Sequence, residues 1–160
     1  MDITLRSARH DEAGMVAEII RAAFEEYRGV LVPDSGAHAE TAEKISAKMA
    51  KGGALLACEG ERVLGCVVFY PDDGSMYLGR LAVLPAYRGY GIAGRLVEAV
   101  EARAREIGLP RVYLGVRVAL PGNRAFFERR GYTFHHYDSH PGHESPTFMI
   151  LEKHLAATPE

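Results

Sequence analysis

One stretch near the centre of the chain combines residue types that suit a diphosphate. It runs from Leu81 to Gly94 and predicts a strand, a tight glycine-rich loop and the start of a helix. Free N–H groups at a helix start bind anions with the aid of the helix dipole, and glycines let the backbone approach the phosphates. A cationic side chain in the loop adds a fixed charge. We therefore expect phosphate binding at Arg88, Gly89, Tyr90, Gly91, Ile92, Ala93 and Gly94.

Other glycine-rich loops must be weighed against this one. Gly89, Gly91 and Gly94 also satisfy the G-x-G-x-x-G pattern of dinucleotide-binding proteins. That fold requires an acidic residue near the end of the next strand, and the next predicted strand, 112–118, has none. A Walker loop requires Gly-Lys followed by Ser or Thr, and no such triplet follows here. A glycine-rich turn without a ligand is the structural alternative.

The segments around the loop predict one α/β domain over residues 1–160. Helical periodicity predicts a first helix that is capped by Asp11 and stopped by Gly29. Further helices are predicted over 39–51, 92–107 and 123–130, and strands over 3–9, 54–58, 63–70, 76–84, 112–118, 132–137 and 147–151. Because a helix joins the fourth and fifth strands, these two strands should run parallel.

The same patterns predict two details of packing. The spacing of Glu101 and Arg105 predicts an exposed ion pair on the helix 92–107. A two-residue hairpin turn between Cys58 and Cys66 would place their sulfurs on opposite faces of the sheet. We therefore expect two buried, free cysteines rather than a disulfide.

Composition and charge exclude several classes of protein. Apolar residues make up 48% of the chain and charged residues 25%, which are ordinary values for a soluble globular domain. Nineteen basic and 21 acidic residues give a net charge of −2, so no overall field favours nucleic acid or an anionic membrane. No apolar run resembles a signal peptide or a membrane span. We expect a cytoplasmic protein, and the sequence is compatible with a homodimer.

The central stretch also resembles the GNAT superfamily of N-acetyltransferases. Arg88, Gly91 and Ala93 match the family's signature of Arg or Gln, two residues, Gly, one residue, then Gly or Ala. The resemblance extends over residues 3–153. It implies a mixed sheet of about seven strands that is splayed between strands 4 and 5, with about four helices on both faces. It also implies acetyl-CoA as cosubstrate in the gap, with its pantetheine arm along Leu81, Ala82 and Val83.

The resemblance further implies direct attack of a neutral amine on the thioester, with the carbonyl polarised by a backbone N–H of the fourth strand. The acceptor would be a primary amine of a small molecule or peptide. Similar enzymes often protonate the departing thiolate with a tyrosine, and Phe127 stands at that position. Some relatives carry a glutamate base on the fifth strand, and Gly115 stands there. The alternative is therefore an acyl-CoA-binding module that has lost catalysis.

Other side chains are candidates for the missing acid and base. We expect Tyr77, His135 and His136 to be the catalytic candidates, although a solvated, histidine-rich loop is the simpler explanation of the histidines. The spacing of these histidines matches no standard zinc pattern, so we expect no metal. Asn123 either contacts the cofactor or caps its helix, and Phe127 should lie beside the cofactor. The acceptor wall is predicted to come from the segments 27–37 and 135–146.

Overall fold

Alternating apolar residues form seven strands in the computed structural model, which describes residues 1–156. The strands are β1 (Thr4–Ser7), β2 (Gly53–Glu59), β3 (Arg62–Asp72), β4 (Ser75–Val83), β5 (Arg111–Arg117), β6 (Thr133–Asp138) and β7 (Phe148–His154). They form one mixed sheet in the order β1-β2-β3-β4-β5-β7-β6. The predicted strands are therefore confirmed, with small differences at their ends.

Four amphipathic helices cover the sheet: α1 (Ala13–Phe24), α2 (Ala42–Lys51), α3 (Ile92–Glu106) and α4 (Pro121–Glu128). The apolar sides of α1 and α2 pack on one face of the sheet. Those of α3 and α4 pack on the other face. The α/β class, the mixed sheet and the helices on both faces are as predicted. Within residues 1–156, every helix is too short or too polar to cross a membrane.

The parallel pair β4 and β5 separates soon after it begins. The two strands pair only at Met76 with Val112 and at Tyr77 with Tyr113. Beyond Tyr77, β4 continues to Val83 without β5 as a partner. The predicted splay between the fourth and fifth strands is confirmed, and it leaves one edge of β4 free to pair with an extended ligand.

A bulge in β4 lies beside this gap. Gly79 pairs with Val68 and Ala82 pairs with Cys66, so two residues of β4 face only Val67 of β3. One of the two, Arg80, has a φ of +50°, which is uncommon for a residue with a side chain. The bulge turns Arg80 towards the face that carries α1 and α2, where its Nε donates to Glu40 at 2.7 Å.

The start of the first helix differs from the prediction. Asp11 lies in a short 3-10 turn, His10–Glu12, before α1 begins. Glu12 is the residue that precedes α1, and its carboxylate makes no capping hydrogen bond to that helix. It accepts instead from the backbone N–H of Arg9, which precedes the 3-10 turn, at 2.8 Å and from the guanidinium of Arg6 at 2.7 Å. The ion pair with Arg6 lowers the pKa of Glu12 to about 2. The helix also ends at Phe24, before Gly29.

Two predicted packing details are wrong. Glu101 is buried rather than exposed, and its carboxylate accepts from Tyr132 Oη at 2.9 Å and Lys153 Nζ at 2.9 Å. The sulfurs of Cys58 and Cys66 lie in the same apolar layer because a bulge between Ala57 and Cys58 shifts the register of the hairpin. Both cysteines are nevertheless buried and free, as expected.

Candidate active site

The glycine-rich loop presents backbone N–H groups at the start of α3. Gly89 and Gly91 adopt φ values of +87° and +76°, and Gly91 is the residue that precedes the first helical turn. The carbonyl of Gly91 accepts from Arg95 N at 3.2 Å. Helix geometry leaves the N–H groups of the first turn without intrahelical acceptors. This helix start can therefore bind an anion.

Arg88 ties the loop to the end of α1. Its Nη1 donates to Glu26 at 2.7 Å, its Nη2 to the carbonyl of Ala23 at 3.1 Å and its Nε to the carbonyl of Val83 at 3.3 Å. The guanidinium is thus engaged by protein groups in this structure. Its visible role is to fix the loop, while the backbone of the helix start offers the free donors.

A cavity of about 870 Å³ extends from this loop through the gap between β4 and β5. A CoA molecule with its acyl group is of the size that such cavities hold. The lining includes eleven of the twelve residues expected to contact the cofactor: Leu81, Ala82, Val83, Arg88, Gly89, Gly91, Ile92, Ala93, Gly94, Asn123 and Phe127. Tyr90 lies outside the lining and is 56% exposed.

Strand periodicity determines which side chains of β5 reach the other end of the cavity. Val112, Leu114 and Val116 are buried against α3. The alternate residues Gly115 and Arg117 therefore point towards the face of α1 and α2, and both line the cavity. The predicted wall segments also contribute, since Tyr27, Leu31 and Ser35 come from the first and His140 comes from the second.

Tyr77 is half-buried in the cavity wall where β4 and β5 still pair. Its ring packs between Tyr70, at 5.0 Å between centroids, and Tyr113, at 5.3 Å. Burial raises the pKa of Tyr77 above its ordinary value of 10.0. A neutral phenol at this position can donate a proton or a hydrogen bond but is a poor base at neutral pH.

The two positions without a catalytic side chain both border the cavity. Phe127 is 6% exposed and packs edge-to-face on Phe126 and Tyr132. A Cβ at Gly115 would meet only side-chain atoms of Phe148 and Ile150, at 3.7 Å and 3.8 Å. The family resemblance alone identifies these positions, and in the structure both residues line the cavity.

The histidines separate into two groups. His135 and His136 are exposed on β6, the edge strand of the sheet, and neither lines the cavity. The structure thus does not bring them together with Tyr77. His140 does line the cavity, with its ring packed on Phe148 at 5.0 Å. Burial, and secondarily the charge of Arg117, lower the pKa of His140 below 6.5.

Asn123 lies inside α4 rather than at its cap. The helix begins at Pro121 after Leu120, and the backbone N–H of Asn123 donates to the carbonyl of Leu120 at 3.1 Å. The capping role is therefore excluded. Its side chain is exposed at the mouth of the cavity, where a cofactor contact remains a prediction.

The cavity is lined by cationic side chains and, within residues 1–156, by no aspartate or glutamate. The cations are Arg80, Arg88, Arg117, Arg129 and Arg130. Sequence reasoning missed Arg80 and Arg117 as candidate site residues. The alternation of β5 would have placed Arg117 beside Gly115, whereas Arg80 depends on the bulge and has no local signal. Residues 1–156 contain no group of three His, Cys, Asp or Glu side chains that could hold a metal ion.

Comparison with known proteins agrees with this geometry. A family model described as "Acetyltransferase (GNAT) family" matches residues 15–132. The solved structure of PaiA N-acetyltransferase from Thermoplasma acidophilum, in complex with coenzyme A, superposes with a TM-score of 0.83. The superposition covers 97% of this chain and 100% of that chain at 18% sequence identity, so it establishes likeness of fold.

Two curated proteins are also similar in part. Probable N-acetyltransferase 14 of Danio rerio is 35% identical over 91 residues, which are 56% of this chain and 32% of that protein. Amino-acid acetyltransferase of Azotobacter vinelandii is 32% identical over 112 residues, which are 69% of this chain and 24% of that protein. The chain therefore spans a third or less of the length of these two relatives. The family match over most of the chain, together with the splayed sheet and its loop, shows that the chain belongs to the GNAT acetyltransferase family.

Proposed function

We propose that the protein transfers the acetyl group of acetyl-CoA to the primary amine of a small molecule or peptide. One observation carries this proposal: the cavity connects the anion-binding start of α3, through the open edge of β4, to a polar chamber on the opposite face. Along this path, the pyrophosphate would lie at the start of α3, the pantetheine arm along the open edge of β4, and the acceptor in the polar region on the opposite face. The solved Thermoplasma relative was crystallised with coenzyme A, which supports the choice of cosubstrate.

The pyrophosphate would lie over the N–H groups at residues 91–94, with Arg88 holding the loop through Glu26. The pantetheine amides would pair with the edge of β4 along Leu81 and Val83, because that edge has no strand partner. The thioester would then lie near the bulge, where a backbone N–H of β4 can polarise its carbonyl.

The amine must be neutral to attack. A lysine-like amine with a pKa of about 10.4 requires roughly 4–5 kcal/mol to lose its proton at pH 7. His140 is suited to help, since it lines the cavity and its pKa is lowered below the ordinary value of 6.5, which favours the neutral form of the imidazole. Tyr77 is the phenol that can donate a proton to the departing thiolate in the absence of a tyrosine at Phe127.

An acyl-CoA-binding module is the second candidate. It is favoured by the absence of a carboxylate among the cavity-lining residues of the described chain and by the buried phenyl ring of Phe127. Such a module would bind CoA at the same loop but would not release thiol in the presence of an amine. Both candidates therefore predict CoA binding, and they differ only in turnover.

An acceptor screen separates the two. Purified protein is mixed with acetyl-CoA and with each member of a panel of amines, and free thiol is followed in time. Amine-dependent thiol release supports transfer. Tight CoA binding without thiol release on any amine supports the module. Arg103→Gln is a suitable control variant, because Arg103 is exposed on α3 and pairs with Glu106 outside the cavity.

A further inference from the structure

Two arginines converge on one short segment at the acceptor end of the cavity. Arg117 Nη2 donates to the carbonyl of Asp34 at 3.3 Å. Arg80 Nη2 lies 2.8 Å from the position that a Cβ of Gly36 would occupy. Residues 34 and 36 are at most about 7 Å apart along any chain, so both guanidinium groups lie beside the same three-residue segment. Arg80 comes from β4 and Arg117 from β5, and the pair therefore spans the gap between the separated strands.

The local charges do not cancel. Glu40 is buried and is shared between Arg80 Nε and Lys48 Nζ. Asp34 accepts from the backbone N–H of Gly29 through Oδ1 and is exposed. Three cations thus face two carboxylates, and of these five groups only Arg80 and Arg117 line the cavity. Partial burial and the charge of Arg80 lower the pKa of Arg117, as expected when a half-buried cation lies near another cation.

The donors of these arginines are incompletely used. Among residues 1–156, Arg80 donates to Glu40 through Nε, and Arg117 donates to one backbone carbonyl through Nη2. A guanidinium has five N–H groups arranged as a fork that matches a carboxylate or phosphate. Two such forks at the end of a cavity without lining carboxylates form a site for an oxyanion.

We propose that Arg80 and Arg117 bind an oxyanion, a carboxylate or a phosphate, that belongs to the amine acceptor. The inference rests on the proposed acetyl transfer, and it narrows the acceptor to amines that also carry a negative group. The oxyanion fixes one end of the acceptor on the face of α1 and α2, so that its amine points back along the cavity towards the thioester near the bulge of β4. Diamines and other purely cationic acceptors are disfavoured by the same charges.

Binding is measured by calorimetry on the CoA-loaded protein, so that the result does not depend on turnover. The standard amino acids are compared with their carboxamides, and phosphoethanolamine with ethanolamine. We expect at least one acid to bind roughly tenfold or more tightly than its neutral partner. A preference in the amino acid pairs identifies a carboxylate, and a preference in the phosphoethanolamine pair identifies a phosphate.

Arg117→Gln is expected to remove this preference, and Arg117→Lys to restore part of it, because lysine keeps the charge but not the fork. Arg103→Gln makes the same chemical change outside the cavity and should leave the preference for the acid unchanged. The affinity for acetyl-CoA should be unchanged in all three variants. Equal binding of acids and neutral partners, or a loss of acetyl-CoA affinity in Arg117→Gln, would overturn the inference. Thiol release is measured in a separate assay. Binding of the acid without thiol release would therefore contradict the proposed acetyl transfer and leave the oxyanion site supported.

Discussion

Replacement of Gly91 tests the phosphate-binding loop most sharply, because α3 has a matched glycine at its other end. Gly91 and Gly108 have φ values of +76° and +80°, and a Cβ at either position would meet no protein atom within 4 Å. A residue with a side chain in this left-handed region costs about 1–2 kcal/mol. Gly91→Ala and Gly108→Ala should therefore lower the free energy of unfolding by similar amounts, as measured by urea denaturation.

The two variants should differ in CoA binding. Gly91 lines the cavity and Gly108 does not. If the loop of Gly91→Ala relaxes in the free protein, the strain no longer lowers its free energy of unfolding and is met on CoA binding instead, where a cost of about 1–2 kcal/mol raises the Kd roughly 5- to 30-fold. Gly91→Val adds a branched side chain where the phosphates approach and should abolish binding, while Gly108→Ala should bind normally. Calorimetry with CoA measures this. Normal binding by Gly91→Val, or an equal loss in Gly108→Ala, would refute the assignment of the loop.

Three further outcomes are expected. Glu12→Gln should lose roughly 1–3 kcal/mol of stability at pH 7, because it removes a charged hydrogen-bond acceptor of Arg6. Folding lowers the pKa of Glu12 from 4.5 to about 2, so the free energy of unfolding of the parent should decrease as the pH is lowered from 4.5 to 2. Urea denaturation should show a smaller decrease for Glu12→Gln over the same pH range, and an equal decrease would contradict this prediction. Phe127→Tyr should fold normally, with kcat unchanged or raised; a severalfold fall in thiol release would contradict this. His140→Ala should remove a rising limb of the pH profile of kcat/KM that lies below pH 6.5. The control His135→Ala should keep this limb. If the position of the limb instead changes with the pKa of the acceptor amine, the limb reports ionisation of the amine and not of His140.

The sequence predicted the parts of the structure that local signals control. The start of α3 at Ile92 was correct because glycines and helical periodicity meet at one point. The parallel pairing of β4 and β5 followed from the helix that connects them. The residues expected to contact the cofactor came from the family resemblance. All of them except Tyr90 line the cavity, and their contact with a cofactor stays a prediction.

The errors concern contacts between distant parts of the chain. Helical periodicity predicts that a charged residue is exposed, but Glu101 is buried. Its carboxylate is hydrogen-bonded by Tyr132 and Lys153, which lie far from it in the sequence. The bulge at Cys58 reverses a face that simple alternation assigns. The bulge at Arg80 likewise sets the position of that side chain in the cavity wall, and no pattern in the neighbouring sequence predicts this bulge.

The proposed transfer requires that the cavity brings acetyl-CoA and an amine together. It is tested most directly by incubating the protein with acetyl-CoA and an amine acceptor and by measuring free thiol and acetylated amine in the same sample. Direct transfer requires that thiol appears only with an amine, that each thiol released is matched by one acetylated amine, and that Gly91→Val abolishes both. Thiol release without an acetylated amine, or unchanged transfer by Gly91→Val, would contradict it.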